Sequence, residues 1–143
     1  MDIELTRDEH LRALAALEAV VGNNDDALAV LAGDAHERPL PTLLAAYGQH
    51  TLHRILIKAF GIDATMDHDE TGRLVTEINS DPTARIVFLL TDALHNQAAL
   101  AGQDPVTAKL IGGSILGAIH AFTDADNDDA LTLLRALRNE ALR

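Results

Sequence analysis

The chain contains no cysteine and no tryptophan, and its aromatic residues are limited to one tyrosine and three phenylalanines. Without cysteine there is no disulfide, no thiolate ligand for zinc and no thiol nucleophile. Serine occurs only at Ser80 and Ser114, and neither lies in a Gly-x-Ser-x-Gly elbow. No Walker-type or dinucleotide-binding glycine loop is present. Gly112-Gly113-Ser114 falls inside a helical pattern rather than between a strand and a helix, so it is not read as a phosphate cradle. Basic residues are also scarce: Lys and Arg total 11 against 22 Asp and Glu, a net charge of −11 with neutral histidines. Nucleic-acid affinity comes largely from clustered Lys and Arg, whereas lysine occurs here only at Lys58 and Lys109. No nucleic-acid partner is expected.

Long apolar runs are missing too. The longest, Leu110 to Ile119, has about half the ~20 residues that a membrane-spanning helix needs. The opening residues Met1 to Leu5 are acidic and lack the basic-then-apolar layout of a signal peptide. The expectation is a cytoplasmic protein with no membrane partner.

What the chain does have is alanine and leucine, within an apolar fraction of 48% over 143 residues. That length suits one domain, 1–143, with a core of useful size. Ala and Leu lose little side-chain freedom in a helix, whereas strands favour β-branched and aromatic residues. Thr6-Arg7-Asp8-Glu9 is a capping box, and Leu11, Leu14, Leu17 and Val21 follow at helical spacing up to a stop at Gly22. A second short helix runs from Asn24 or Asp25 to Gly33. These two form a small helical pair, 6–33, joined to the rest by a proline-containing loop, 34–41.

A third helix is expected from Pro41 or Thr42 to Phe60, with Leu44, Tyr47, Gly48, Thr51, Leu52, Ile55, Leu56 and Ala59 on its apolar face. A short fourth follows at Gly72 to Asn79. Asp81-Pro82 and Asp104-Pro105 each place an acidic cap before a proline at the first helical position, where a missing amide costs nothing. The helices they start, near 82–101 and 105–122, are apolar almost all round, which belongs in the middle of a bundle or inside an interface. A last helix is expected from Asn127, with Leu131, Leu134 and Leu137 as its buried stripe. No segment alternates as a strand would. The fold expected is all-α, a compact bundle of about five to seven helices with those near 82–101 and 105–122 central.

The sharpest local motif is Asp67-His68-Asp69-Glu70-Thr71-Gly72-Arg73-Leu74, which resembles the first eight places of an EF-hand calcium loop. The resemblance stops before the twelfth place, where a bidentate Glu belongs and Ile78 stands. The competing reading is an acidic loop that caps a short helix through Asp69 and Thr71, and no metal is assigned. The seven histidines include His50 and His53, three apart on the third helix and pointing away from its apolar face, toward Arg54 and Ile57. His95 follows Asp92 by three residues, but the paired Glu-x-x-His motifs of di-iron bundles are absent. His120, in the most apolar helix, reads as a hydrogen-bonded core residue.

Gly113, Gly117 and Ala121 recur every four residues on the sixth helix. Each interior glycine costs ~1 kcal/mol of helix propensity relative to Ala, so two on one stripe point to close approach by another helix. That helix belongs either to the same chain or to a second subunit. With no catalytic signature and no cofactor motif, the function expected is that of a non-enzymatic helical interaction or regulatory module. It would act by binding a protein partner, as a homodimer, with Gly113, Gly117, Ala121, His50 and His53 as its interaction residues. One alternative is an acidic nucleic-acid mimic that blocks a basic groove with Asp67 to Glu70 and Asp124 to Asp129. The other is a bundle that binds a metal or ligand, or an enzyme, with His50, His53 and His95 converging on a pocket.

Overall fold

A computed structural model describes residues 4–32, 36–63, 65–123, 135 and 139. Among these residues there are six helices and no strand: α1 (Arg7–Val21), α2 (Asp25–Ala32), α3 (Leu40–Ala59), α4 (His68–Ser80), α5 (Pro82–Ala101) and α6 (Pro105–Thr123). None of these helices is long and apolar enough to cross a membrane. The helix expected from Asn127, with its leucine stripe, lies outside the described residues.

Local capping chemistry sets most of the starts. Thr6 accepts the amide of Glu9 at 3.2 Å while the Glu9 carboxylate accepts the amide of Thr6 at 3.1 Å, so two orphan donors are satisfied reciprocally. Asn24 accepts the amide of Ala27 at 3.1 Å to open α2. Asp81 accepts the amide of Ala84 at 2.9 Å. Asp104 accepts the amide of Thr107 at 3.3 Å and its hydroxyl at 2.7 Å. α1 ends at Gly22 as expected, but the left-handed residue that turns the chain is Asn23, with φ 53°. Asn is the side chain that tolerates that region best after glycine.

α3 is the element the others share. α1, α5 and α6 all pack on it; α6 also touches α1, α2 and α5, and α4 leans on α5. The core is built from Leu14 and Leu17 of α1, Leu28 of α2, Leu40, Leu43, Leu44 and Leu52 of α3, and Ile111, Ile115 and Ile119 of α6. α3 buries its first two turns all round, then opens to solvent on one side from His50 onward, and Ala59 is exposed. That change of environment makes α3 both the core helix and the wall of the cleft described below.

Two glycines let helices approach closely. A Cβ on Gly48 would lie 2.5 and 2.6 Å from Cδ1 and Cγ1 of Ile115, and one on Gly112 would lie 3.0 Å from Val20. The crossings of α3 with α6 and of α1 with α6 therefore sit at Gly48 and Gly112. At Gly113 and Gly117 an added Cβ would meet nothing within 4 Å among the described residues. The small-residue stripe does not mediate packing inside the described fold. The glycines that mediate packing within the described fold are Gly48 and Gly112, which lie outside that stripe.

Arg12 of α1 holds the segment between α2 and α3. Its guanidinium donates to the carbonyl of Leu31 at 2.6 and 3.2 Å and to that of Arg38 at 2.6 Å, and it pairs with Glu37 at 3.2 Å. Its side chain is only 9% exposed. Lys109 of α6 bonds Asn23 at 2.7 Å and Asp25 at 2.9 Å, and Gln103 accepts the amide of Leu40 at 3.0 Å.

Candidate functional site

Two features remain after packing is accounted for: an apolar outer face on α5 and α6, and a histidine-lined cleft beside α3.

α6 divides into two faces at helical spacing. Ala108, Ile111, Ile115, Leu116 and Ile119 turn inward and are buried. Val106, Leu110, Gly113, Ser114, Gly117 and Ala121 turn outward and are exposed, Val106 at 65% and Leu110 at 58%. The neighbouring α5 shows Ile86 at 66%, Leu89 at 69% and Leu100 at 92%. Both helices read as apolar all round because each has a buried face and a bare apolar one. The expected central position is met on the inner faces only. Scattered exposed aliphatics are ordinary, but five large ones on two consecutive, mutually packed helices form an unusual concentration.

The cleft is open to solvent on one side and has a volume of about 540 Å³. Ala46, Gln49, His50, His53, Arg54 and Ile57 line it from α3, and Glu4 lines it from the segment before α1. These positions fall on one side of α3 because 46, 50, 53, 54 and 57 are one helical face. His50 and His53 thus lie where expected, beside Arg54 and Ile57. His10 of α1 stands edge-on to His50 with ring centres 5.7 Å apart, and to Tyr47 at the same distance. The His53 ring meets Phe88 of α5 edge-on at 5.1 Å. His95 of α5 bonds the Gln49 side chain at 2.5 Å.

The three histidines named from sequence are therefore brought to one region, but His95 reaches the cleft through Gln49. No group of three or more His, Asp and Glu side chains suited to a metal is found among the described residues. Glu4 and His10 were not singled out from sequence, since only the packing of α1 and the segment before it against α3 brings them there. His120 departs from expectation: its Nε2 is buried and has no hydrogen-bond partner among the described residues.

The imidazole of His50 is held below its ordinary value, first by burial and then by the positive fields of His10, Arg54 and His53. Burial lowers His95 as well, against an opposing pull from Asp92. Both are neutral in the folded chain at pH values where an unfolded chain already binds protons. The sign follows from linkage: stability is full above the ordinary imidazole value of 6.5 and falls as pH drops below it toward the lowered folded values. Thermal melts are expected to show a falling Tm between about pH 7 and pH 5.5, with a shallower slope for His50→Gln. Equal slopes for both proteins would show that His50 does not contribute.

The acidic segment is not a calcium loop. Asp67 is the N-cap of α4, accepting the amide of Glu70 at 2.8 Å, and Asp69, Thr71 and Gly72 lie within the helix. Capping is the role observed, by Asp67 rather than Asp69 and Thr71, and the helix begins at His68 rather than Gly72. Of the two acidic clusters required for nucleic-acid mimicry, this one serves a helix start, and Asp124 to Asp129 lies outside the described residues.

Comparison with protein-family models, with curated proteins and with solved structures finds no match for this chain.

Proposed function

We propose that the chain is a non-enzymatic interaction module that works as a homodimer, with the outer face of α6 crossing the same face of a second copy. The observation that carries this is the exposed stripe of Gly113 and Gly117 flanked by Val106 and Leu110. Glycine in an exposed helix interior is unfavourable by roughly 0.5–1 kcal/mol relative to alanine, and nothing described within the fold uses the space it leaves. A two-fold contact is self-complementary, so a flat patch in the middle of one helix meets its own equivalent, and in an antiparallel crossing Val106 and Leu110 of each copy fill one of the two diverging ends. In a non-symmetric contact the partner would have to supply a matching flat surface; in a symmetric one the same stripe supplies both.

Gly117→Leu separates association from folding. Inside one protomer the new side chain meets open space and improves helix propensity, so the monomer's stability is expected to hold or rise by roughly 0.5–1 kcal/mol. At a crossing of two copies it forces the backbones apart. Sedimentation velocity should show a dimer for the parent chain and a folded monomer for the variant. A parent chain that stays monomeric at about 100 µM would exclude the homodimer, since that sets the Kd above the concentration tested. A dimer insensitive to Gly117→Leu would place the contact elsewhere.

A further inference from the structure

We propose that the cleft beside α3 binds a small organic carboxylate, the carboxylate against Arg54 with His50 and His53 and the apolar body against Ala46 and Ile57. The proposal is independent of dimerisation, because it rests on a different part of the molecule.

Charge placement is the first support. In a chain of net charge −11, most exposed surface repels anions, yet this cleft brings together Arg54, His50, His53 and, behind them, His10. Arg12, Arg38 and Lys109 all have carboxylate partners within 3.2 Å, whereas Arg54 makes no ion pair among the described residues. Among the described residues the one carboxylate lining the cleft is Glu4. Asp92 of α5 is a further acid, acting on His95.

Shape and valence narrow the ligand. A space of about 540 Å³ falls within the range of small-molecule sites and exceeds what a bare carboxylate needs. Its walls combine one guanidinium fork, the side-chain amide of Gln49, two imidazoles and two aliphatic groups. The one guanidinium is the fixed positive charge available to pair a monoanion, with Glu4 opposing it, and the planar fork matches the two oxygens of a carboxylate. A dianion would leave a second charge to be desolvated without a fixed partner. The lowered His50 adds a consequence. Its neutrality arises from burial and from positive neighbours, and a bound anion offsets the second cause. Binding then takes up a proton, and affinity strengthens as pH falls.

Benzoate is a suitable probe, because its charge is constant above about pH 5.5, and neutral benzamide is its control for apolar fit. Histidine side-chain NMR signals report the site directly. Saturable shifts of His50 and His53 with benzoate, and far smaller ones with benzamide, are expected. Arg54 is exposed, so Arg54→Gln should fold as the parent does by circular dichroism while weakening benzoate about tenfold or more. Glu4→Gln, which removes the opposing carboxylate, should strengthen it. Affinity should fall by up to about tenfold per pH unit on raising the pH above the free titration of His50. Benzamide binding as well as benzoate, or benzoate affinity unchanged by both substitutions, would overturn the proposal. So would the lack of any saturable histidine shift.

Discussion

Gly48→Ala, the addition of one methyl group, is expected to destabilise the chain by about 1–3 kcal/mol, and Gly48→Leu to prevent stable folding. The new Cβ would stand 2.5 and 2.6 Å from two side-chain carbons of Ile115. Ile115 is fully buried, so it has no solvent-facing rotamer into which to withdraw. Moving Cδ1 alone does not help, since Cγ1 is almost as close and is tied more tightly to the α6 backbone. The helices must separate, and because α3 is the element on which α1, α5 and α6 all pack, a displacement there spreads through the core. The gain in helix propensity from replacing glycine, ~1 kcal/mol, is included in that net loss. Urea denaturation measures the effect, and a double-mutant cycle isolates its cause. Ile115→Ala alone should cost about 2–5 kcal/mol as a cavity. Combined with Gly48→Ala it should cost clearly less than the sum, because the new methyl then occupies the vacated space. Strict additivity would show that the two residues do not share the crossing.

The same crossing shows what a sequence discloses about such a fold. Helix starts were legible because capping is local: Thr6 with Glu9, Asp81 before Pro82 and Asp104 before Pro105 act within one turn of where they stand. The start of α4 was misplaced because alternating acids serve equally as cation ligands or as a cap and first turn. Only the backbone at Asp67 distinguishes them. Glycine spacing was incomplete for a different reason. Gly113 and Gly117 form a motif within one helix, but close approach is a relation between two helices, and within the described fold its residues are Gly48 with Ile115 and Gly112 with Val20. A solitary glycine in a leucine-rich helix gives no sign of what lies opposite.

The cleft was half legible in the same sense. His50, His53, Arg54 and Ile57 share one face of α3 by period alone. Glu4 and His10 arrive from α1 and the segment before it, and His95 is joined through Gln49, by tertiary packing that no spacing encodes. The site therefore depends on α1 being held in place against α3.

Arg12 ties α1 to the end of α2 and to the segment that leads into α3, and Arg12→Ala is expected to cost about 2–4 kcal/mol. Its three donors converge on the carbonyls of Leu31 and Arg38, one at the end of α2 and one just before α3. Hydrogen bonds from a charged donor contribute about 1.5–3 kcal/mol, and removing the donor leaves partly buried carbonyls unsatisfied. The ion pair with Glu37 adds little, because Glu37 is about half exposed, at 48%. The discriminating variant is Arg12→Lys. If charge were the main contribution, lysine would restore most of the stability. Because the guanidinium spans two carbonyls with a rigid fork, an ammonium can satisfy one of them at a time, and rescue is expected to be partial. The cleft offers a second readout. His10 lies two residues before Arg12 on α1, and its ring stands against His50. Loosening α1 should therefore shift the His50 NMR signal in the folded Arg12→Lys protein under native conditions. Full rescue of stability by lysine, with the His50 signal unmoved, would reduce Arg12 to a replaceable positive charge.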